Sequence, residues 1–202
     1  MTVWFCTVQN IADFLQLTID AAHIEAAEQA ITAASAAIQN YCHQYLAEVK
    51  DDVVTFDIEH LRYDLHLPEL PVSSIKSVIE NNEVLTKDSD YKLGSKGILY
   101  RIGRPWVLGV QVVKVIYTHG FAADAYPEDL IAVCTRAAAR AYQAGLRVEA
   151  LSGVPGVQAE SLGDYSITYG AETSSTGEYS LGASGAPLLL RSEKEILDKY
   201  AL

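Results

Sequence analysis

Lysine and arginine are missing from the first 49 residues of this 202-residue chain and missing again from residues 148–190. The first stretch carries Asp13, Asp20, Glu25, Glu28 and Glu48, and the second another five acids, so both would repel a phosphate backbone. Tight nucleic-acid binding by a single chain is disfavoured, because such affinity comes from neutralising many phosphates. Cysteine is scarce and odd in number, with Cys6, Cys42 and Cys134 far apart in sequence. A disulfide framework is not expected, and the three read as buried thiols. No apolar run approaches the ~20 residues of a membrane span, and MTVWFCTVQNIADF lacks the positive segment of a secretory signal. The expected site of synthesis is a cytoplasm.

Catalytic signatures are also missing. Neither G-x-x-x-x-G-K-[ST] nor G-x-G-x-x-G occurs, and Gly94, Gly97 and Gly103 read as hairpin turns. Ser184, in GASGA, departs from the G-x-S-x-G pattern and falls in a stretch too poor in apolar residues to hold a nucleophile in place. The five histidines (His23, His43, His60, His66, His119) show no zinc spacing. Alternation places His60 and His66 on the same face of a strand, where simple exposure accounts for them. Asp51 with Asp52, and Glu59 with Asp64, are acids without flanking partners. No catalytic residue, metal site or cofactor is expected.

What the chain does contain is periodicity. Tyr126 to Tyr142 reads as a central helix, with Pro127 at its first position, Glu128 and Asp129 against the positive end of the dipole, and a stripe of Leu130, Cys134, Ala137 and Ala141. Ile131, Ala138 and Tyr142 flank that stripe, while Arg136 and Arg140 fall off it. Val8 to Leu15 is a short amphipathic stretch. An Ala-rich helix of about twenty residues follows, on which Ile24, Ile31 and Ile38 recur every seven residues, with Asp20 as N-cap. From Asp52 the period falls to two through Val54, Phe56 and Ile58, then Leu61, Tyr63 and Leu65. Further strands are predicted at Val72–Ile79, Tyr91–Leu93, Ile98–Ile102 and Val110–Tyr117, with a hairpin turn at Asn81-Asn82.

Between Lys87 and Lys114 six cations face two acids, a local balance of +4. Lys92, Lys96, Arg101 and Arg104 form a candidate basic patch for a partner, interleaved with Tyr91, Tyr100, Trp106 and Tyr117; the competing reading makes the rings core and the cations their solvent side. Gly145 to Gln158 reads as loop, and Ala159 to Tyr169 as an extended strand or hairpin arm. Gly170 to Pro187 is a Gly/Ser-rich tether. Ser192 and Glu195 form an S-x-x-E capping box for a last short helix with apolar anchors Ile196, Leu197 and Tyr200. Such a helix is marginal alone and is expected to gain its order from a partner surface.

The fold class is therefore α+β. A helical core of the long Ala-rich helix plus the central helix carries an inserted small antiparallel β module and a flexible C-terminal arm ending in a short helix. The expected divisions are residues 1–50, 51–120, 121–146 and 147–202.

Taken in order, TVQNIADFLQL with IQNYCHQYL, then LPELPVSSIKSV, VIYTHGFAADAYPEDLIAVCTRAAARAY, and ESLGDYSITYG before SEKEILDKY resemble the head-tail connector, or adaptor, proteins of long-tailed bacteriophages, in particular members with a β insertion. The resemblance implies a homo-oligomeric, dodecameric ring below the portal protein. That ring extends the DNA channel, joins a stopper or tail-completion protein, and lets genomic DNA pass without specific binding. It also implies a virion protein with no enzymatic activity. The alternatives are another ring-forming virion protein, stopper or tail terminator, or an α+β enzyme or binding protein whose site has no recognisable pattern.

Overall fold

A computed structural model describes residues 3–151, 159–162, 165–168 and 187–201. The chain forms two compact units, Met1–Cys42 with Pro127–Ala201, and His43–Tyr126. Among the described residues the fold is mixed α and antiparallel β, with four α-helices, a four-stranded and a three-stranded sheet, and a separate hairpin.

In the helical unit, α1 (Val8–Leu15) starts with a reciprocal cap: Asn10 N–H donates to Thr7 Oγ1 at 3.2 Å, and Thr7 N–H donates to Asn10 Oδ1 at 2.8 Å. The second helix, α2 (Ile24–Cys42), buries Ala27, Ile31, Ala34 and Ile38 on one face, as the seven-residue repeat predicts. Ile24, at the first turn, stays 40% exposed. Asp20 accepts the His23 N–H just before the helix and so closes its entry turn. The central helix, α3 (Glu128–Leu151), packs on α1 and α2 through Leu130, Val133, Cys134, Ala137 and Ala138, all buried. Pro127 accepts the first turn's bond from Ile131 N–H, one position earlier than predicted. At its other end α3 passes Gly145 and runs to Leu151, where a loop was expected. One glycine costs a helix only ~1 kcal/mol relative to alanine, and good helix formers surround it. The strands β8 (Ala159–Leu162) and β9 (Tyr165–Thr168) pair as an antiparallel hairpin. The expected tether, Ser184 included, lies outside the described residues apart from Pro187.

The β unit follows the period-two segments except at Leu61–Tyr63, which is not strand and leaves Leu61 and Tyr63 exposed; the strand there is confined to Asp64–His66, and Glu83–Leu85 is an additional strand. Its larger sheet has the order β1 (Val49–Ile58), β7 (Gly109–His119), β3 (Val72–Glu80), β4 (Glu83–Leu85), and the smaller one β2 (Asp64–His66), β6 (Ile98–Arg101), β5 (Tyr91–Leu93). Asn81 and Asn82 adopt φ of 48° and 67° between β3 and β4, the positive values a two-residue hairpin needs. Ile58, Leu65, Leu99, Trp106, Val113, Val115 and Tyr117 form the core.

Beyond β7, Gly120 has φ of +82°, and a Cβ there would lie 2.2 Å from the Ala47 carbonyl oxygen. The close approach is held by Glu48 N–H donating to Phe121 O, Phe121 N–H to Leu46 O, and Gly120 N–H to Pro71 O. Gly120→Ala is expected to destabilise the protein by about 2–3 kcal/mol, combining left-handed strain with displacement of backbone. Urea unfolding checks this, and a midpoint equal to wild type would show that the 47–48 segment is not held there.

Candidate assembly surfaces

The β unit contains a buried ionic cluster that the sequence reading did not foresee. Glu80 ends β3 and is 2% exposed. Its Oε2 accepts from Arg101 Nη2 at 3.1 Å, Arg101 Nε at 3.3 Å and Arg104 Nη2 at 2.7 Å, and its Oε1 accepts the Val107 N–H at 2.9 Å. Arg101 also donates to the Asp90 carbonyl and lies 5.8 Å from the Trp106 ring centroid, a cation–π separation. Trp106 in turn donates Nε1–H to Tyr63 O.

The predicted basic patch is corrected accordingly. Arg101 is a core residue, Arg104 is half-exposed but committed to Glu80, and Lys92 and Lys96 are left at the surface. Of the interleaved rings, Tyr91, Trp106 and Tyr117 are buried, as the core reading requires, while Tyr100 is 45% exposed. Register pairs Tyr100 with Asp64 on one side and Lys92 on the other, so these three share the outer face of the small sheet. His60 precedes β2 and does not share a strand face with His66, which instead lies 3.2 Å from Asp64. Among the described residues no group of His, Cys, Asp or Glu could hold a metal ion, and no helix is long and apolar enough to cross a membrane.

In the helical unit the terminal helix α4 (Arg191–Leu197) is built into its own unit, against α2 and α3. Leu197 is fully buried and Leu189 nearly so. Glu193, 2% exposed, accepts from Arg140 Nη1 at 2.9 Å and from Arg140 Nη2. Arg136 Nε lies 3.6 Å away, and a second bond runs from Arg140 Nη2 to Leu188 O at 2.8 Å. The 3₁₀ turn Asp198–Tyr200 adds Tyr200 OH to Asp129 at 2.6 Å, Lys199 to Asp129, and Tyr41 OH to Asp198. The last contact raises the Tyr41 pKa, because the hydroxyl donates to a carboxylate.

Two expectations change here. The cap is not Ser192 with Glu195; Leu190 is the N-cap, Glu193 reaches back to accept its N–H at 2.9 Å, and Glu195 is exposed beside Arg191. Nor is Leu197 open to a partner, since its side chain is occupied within its own unit; Ile196 and Tyr200 are half-buried.

Exposed apolar side chains remain on each unit. On the helical unit they include Phe14, Leu17 and Ile24, with the exposed acids Asp13, Asp20 and Glu25 close in sequence. On the β unit Leu61, Tyr63, Leu108 and Val110 are more than half exposed. Scattered apolar residues are ordinary, but this many on short segments marks surface suited to protein contact.

Comparison with known proteins gives a family model described as head completion protein, matching residues 5–136. Solved structures with similar chains include the neck of an empty GTA particle at C6 symmetry, with 20% identity, 67% of this chain and 77% of that chain covered, and a TM-score of 0.47. A chain in the virion of a native gene transfer agent particle is similar at 17% identity over 77% of this chain and 82% of that one, with a TM-score of 0.48. No curated protein matches.

Proposed function

Because the chain belongs to the head completion protein family, we propose that it is a head-to-tail adaptor, forming a homo-oligomeric ring below the portal that extends the DNA channel and joins the capsid to a stopper or tail-completion protein. Membership makes it a structural virion protein rather than an enzyme. The match over residues 5–136 is the observation that carries the reading.

Charge and surface support it. Asp13, Asp20 and Glu25 are exposed in a region with no lysine or arginine, and such a face toward a channel repels DNA instead of retaining it in a salt-dependent way. Phe14, Leu17 and Ile24 offer apolar area for a neighbouring subunit to cover. Lys92, paired across strands with Tyr100, and the exposed Lys96 suit an acidic partner surface on portal or stopper, and Ile196 with Tyr200 border a second contact. The head–tail joint of the virion is the working location, after synthesis in a bacterial host's cytoplasm.

Co-sedimentation with purified portal, followed by negative-stain imaging, tests this. Rings coaxial with portal are the expected result; a protein that neither assembles nor binds portal would remove the adaptor reading. Lys92→Glu with Lys96→Glu is expected to weaken portal or stopper attachment about tenfold, equivalent to ~1.4 kcal/mol. Because both side chains are exposed, thermal stability should stay within about 0.5 kcal/mol of wild type. Unchanged attachment to both partners would take these lysines out of either interface.

A further inference from the structure

All three cysteines are free and buried, but two of them face each other: Cys6 Sγ lies 3.2 Å from Cys134 Sγ, across 128 residues of chain. We propose that Cys6 and Cys134 are a redox-modifiable pair that closes to a disulfide on exposure to a small peroxide, stapling the segment before α1 to the middle of α3. A disulfide needs ~2.05 Å between sulfurs, so the required approach is on the order of 1 Å. Cys6 sits in the short stretch before the Thr7 cap, where the backbone is not yet committed to helix, whereas Cys134 is fixed inside α3. The approach therefore falls to Cys6, whose backbone is not held by helix hydrogen bonds.

The surroundings favour the chemistry. Cys6 donates its thiol hydrogen to Cys134, and that bond lowers the Cys134 pKa while raising that of Cys6. Ser35 Oγ is 3.6 Å from Cys134 Sγ and also accepts the Phe5 N–H at 3.2 Å, so one buried hydroxyl ties the Cys6 segment to the same sulfur. Cys42 is the internal contrast. It has no thiol neighbour, its nearest acceptor is Leu197 O at 4.0 Å, and burial pushes its pKa up to about 11.

The reaction balances with hydrogen peroxide as oxidant. The Cys134 thiolate attacks one peroxide oxygen, the O–O bond breaks, and the departing hydroxide takes up a proton to leave as water. The Cys6 sulfur then attacks the sulfenic sulfur; the S–S bond forms, the S–O bond breaks, and a second water departs. The thiols lose two electrons and two protons, and peroxide gains them. Entry of an oxidant little larger than water requires local opening of residues 3–6, which lie outside any helix or strand.

The test uses the full chain, treated with hydrogen peroxide and quenched under non-reducing conditions. Titratable thiols should fall from three to one, with a mass loss of about 2 Da and a peptide linking Cys6 to Cys134. The melting temperature should rise by roughly 5–10 °C and return to the starting value with dithiothreitol. Cys42→Ser should keep both responses, and Cys6→Ser should lose both. Three persistent thiols, or oxygen adducts without the linked peptide in wild type and in Cys42→Ser, would overturn the proposal. Ring assembly does not enter any of these readouts, so this inference and the adaptor reading fail separately.

Discussion

Glu80→Gln is expected to lower stability by about 3–5 kcal/mol, the range for removing one partner of a buried ion pair. The substitution keeps size and shape, so the loss isolates the charge. Arg101, whose side chain is 4% exposed, would be left with the Asp90 carbonyl, the partly exposed Asp90 carboxylate 3.7 Å from its Nη1, and a neutral amide in place of the buried carboxylate. The amide nitrogen would also face two guanidiniums that can only donate. Arg101→Leu alone strands Glu80 with Arg104 and the Val107 N–H, a smaller defect because Arg104 is half in water. The double variant should therefore be less destabilised than the sum of the singles, with a coupling energy on the order of 1–3 kcal/mol. Trp106 lies over Arg101 and gives the fluorescence signal; Trp4→Phe in all variants removes the other tryptophan. A Glu80→Gln loss under ~1 kcal/mol would mean that water replaces the carboxylate and that the cluster is not a structural centre.

The burial of Arg101 is legible in its own strand. In β6, Leu99 and Arg101 are two apart and share a face; Leu99 is fully buried, and Arg101 pairs in register with the buried Tyr91. Period two applies to a cation as much as to a valine, and grouping Lys92, Lys96, Arg101 and Arg104 by sequence proximity ignored it. The partner could not have been found that way, because Glu80 lies 21 residues earlier, on a different sheet. Where the governing interactions are local, sequence pattern and structure agree. Strands β1, β3, β5, β6 and β7, the Asn81-Asn82 turn and the buried face of α2 follow from alternation, positive-φ chemistry and a seven-residue repeat, whereas Leu61 and Tyr63 alternate without forming strand. Local rules failed at α4, where Ser192 and Glu195 satisfy a capping pattern that the helix does not use. The carboxylate two residues earlier, Glu193, is claimed by Arg140 from 53 residues away. Arg136 and Arg140 lie one helical turn apart on α3, beside its apolar stripe, and it is that flank that α4 covers.

Deleting residues 191–202 follows directly from that contact and should destabilise the helical unit by roughly 4–6 kcal/mol, which combines burial of one leucine with loss of a buried carboxylate. A helix ordered only by a partner would give no such loss, and its short length alone favours that outcome. The structure supplies what an isolated short helix lacks. Leu197 is wholly buried, Glu193 closes a bidentate bond with Arg140, and Tyr41, Asp129, Asp198, Lys199 and Tyr200 bind along the edge. Truncation would leave Arg140 with Leu188 O and expose the α2 and α3 surfaces that α4 covers. Glu193→Ala separates the contributions: about 2–3 kcal/mol is expected from this change, because Arg136 and Arg140 are each about a third exposed and partly recover water. The melting temperature and portal co-sedimentation should be measured on the same preparations. A truncated protein that melts with wild type but loses portal binding would return α4 to the role of a docking element. One that melts early while its folded fraction still binds portal fixes α4 as part of the helical unit, with contact to portal left to other surfaces, Lys92 and Lys96 among them.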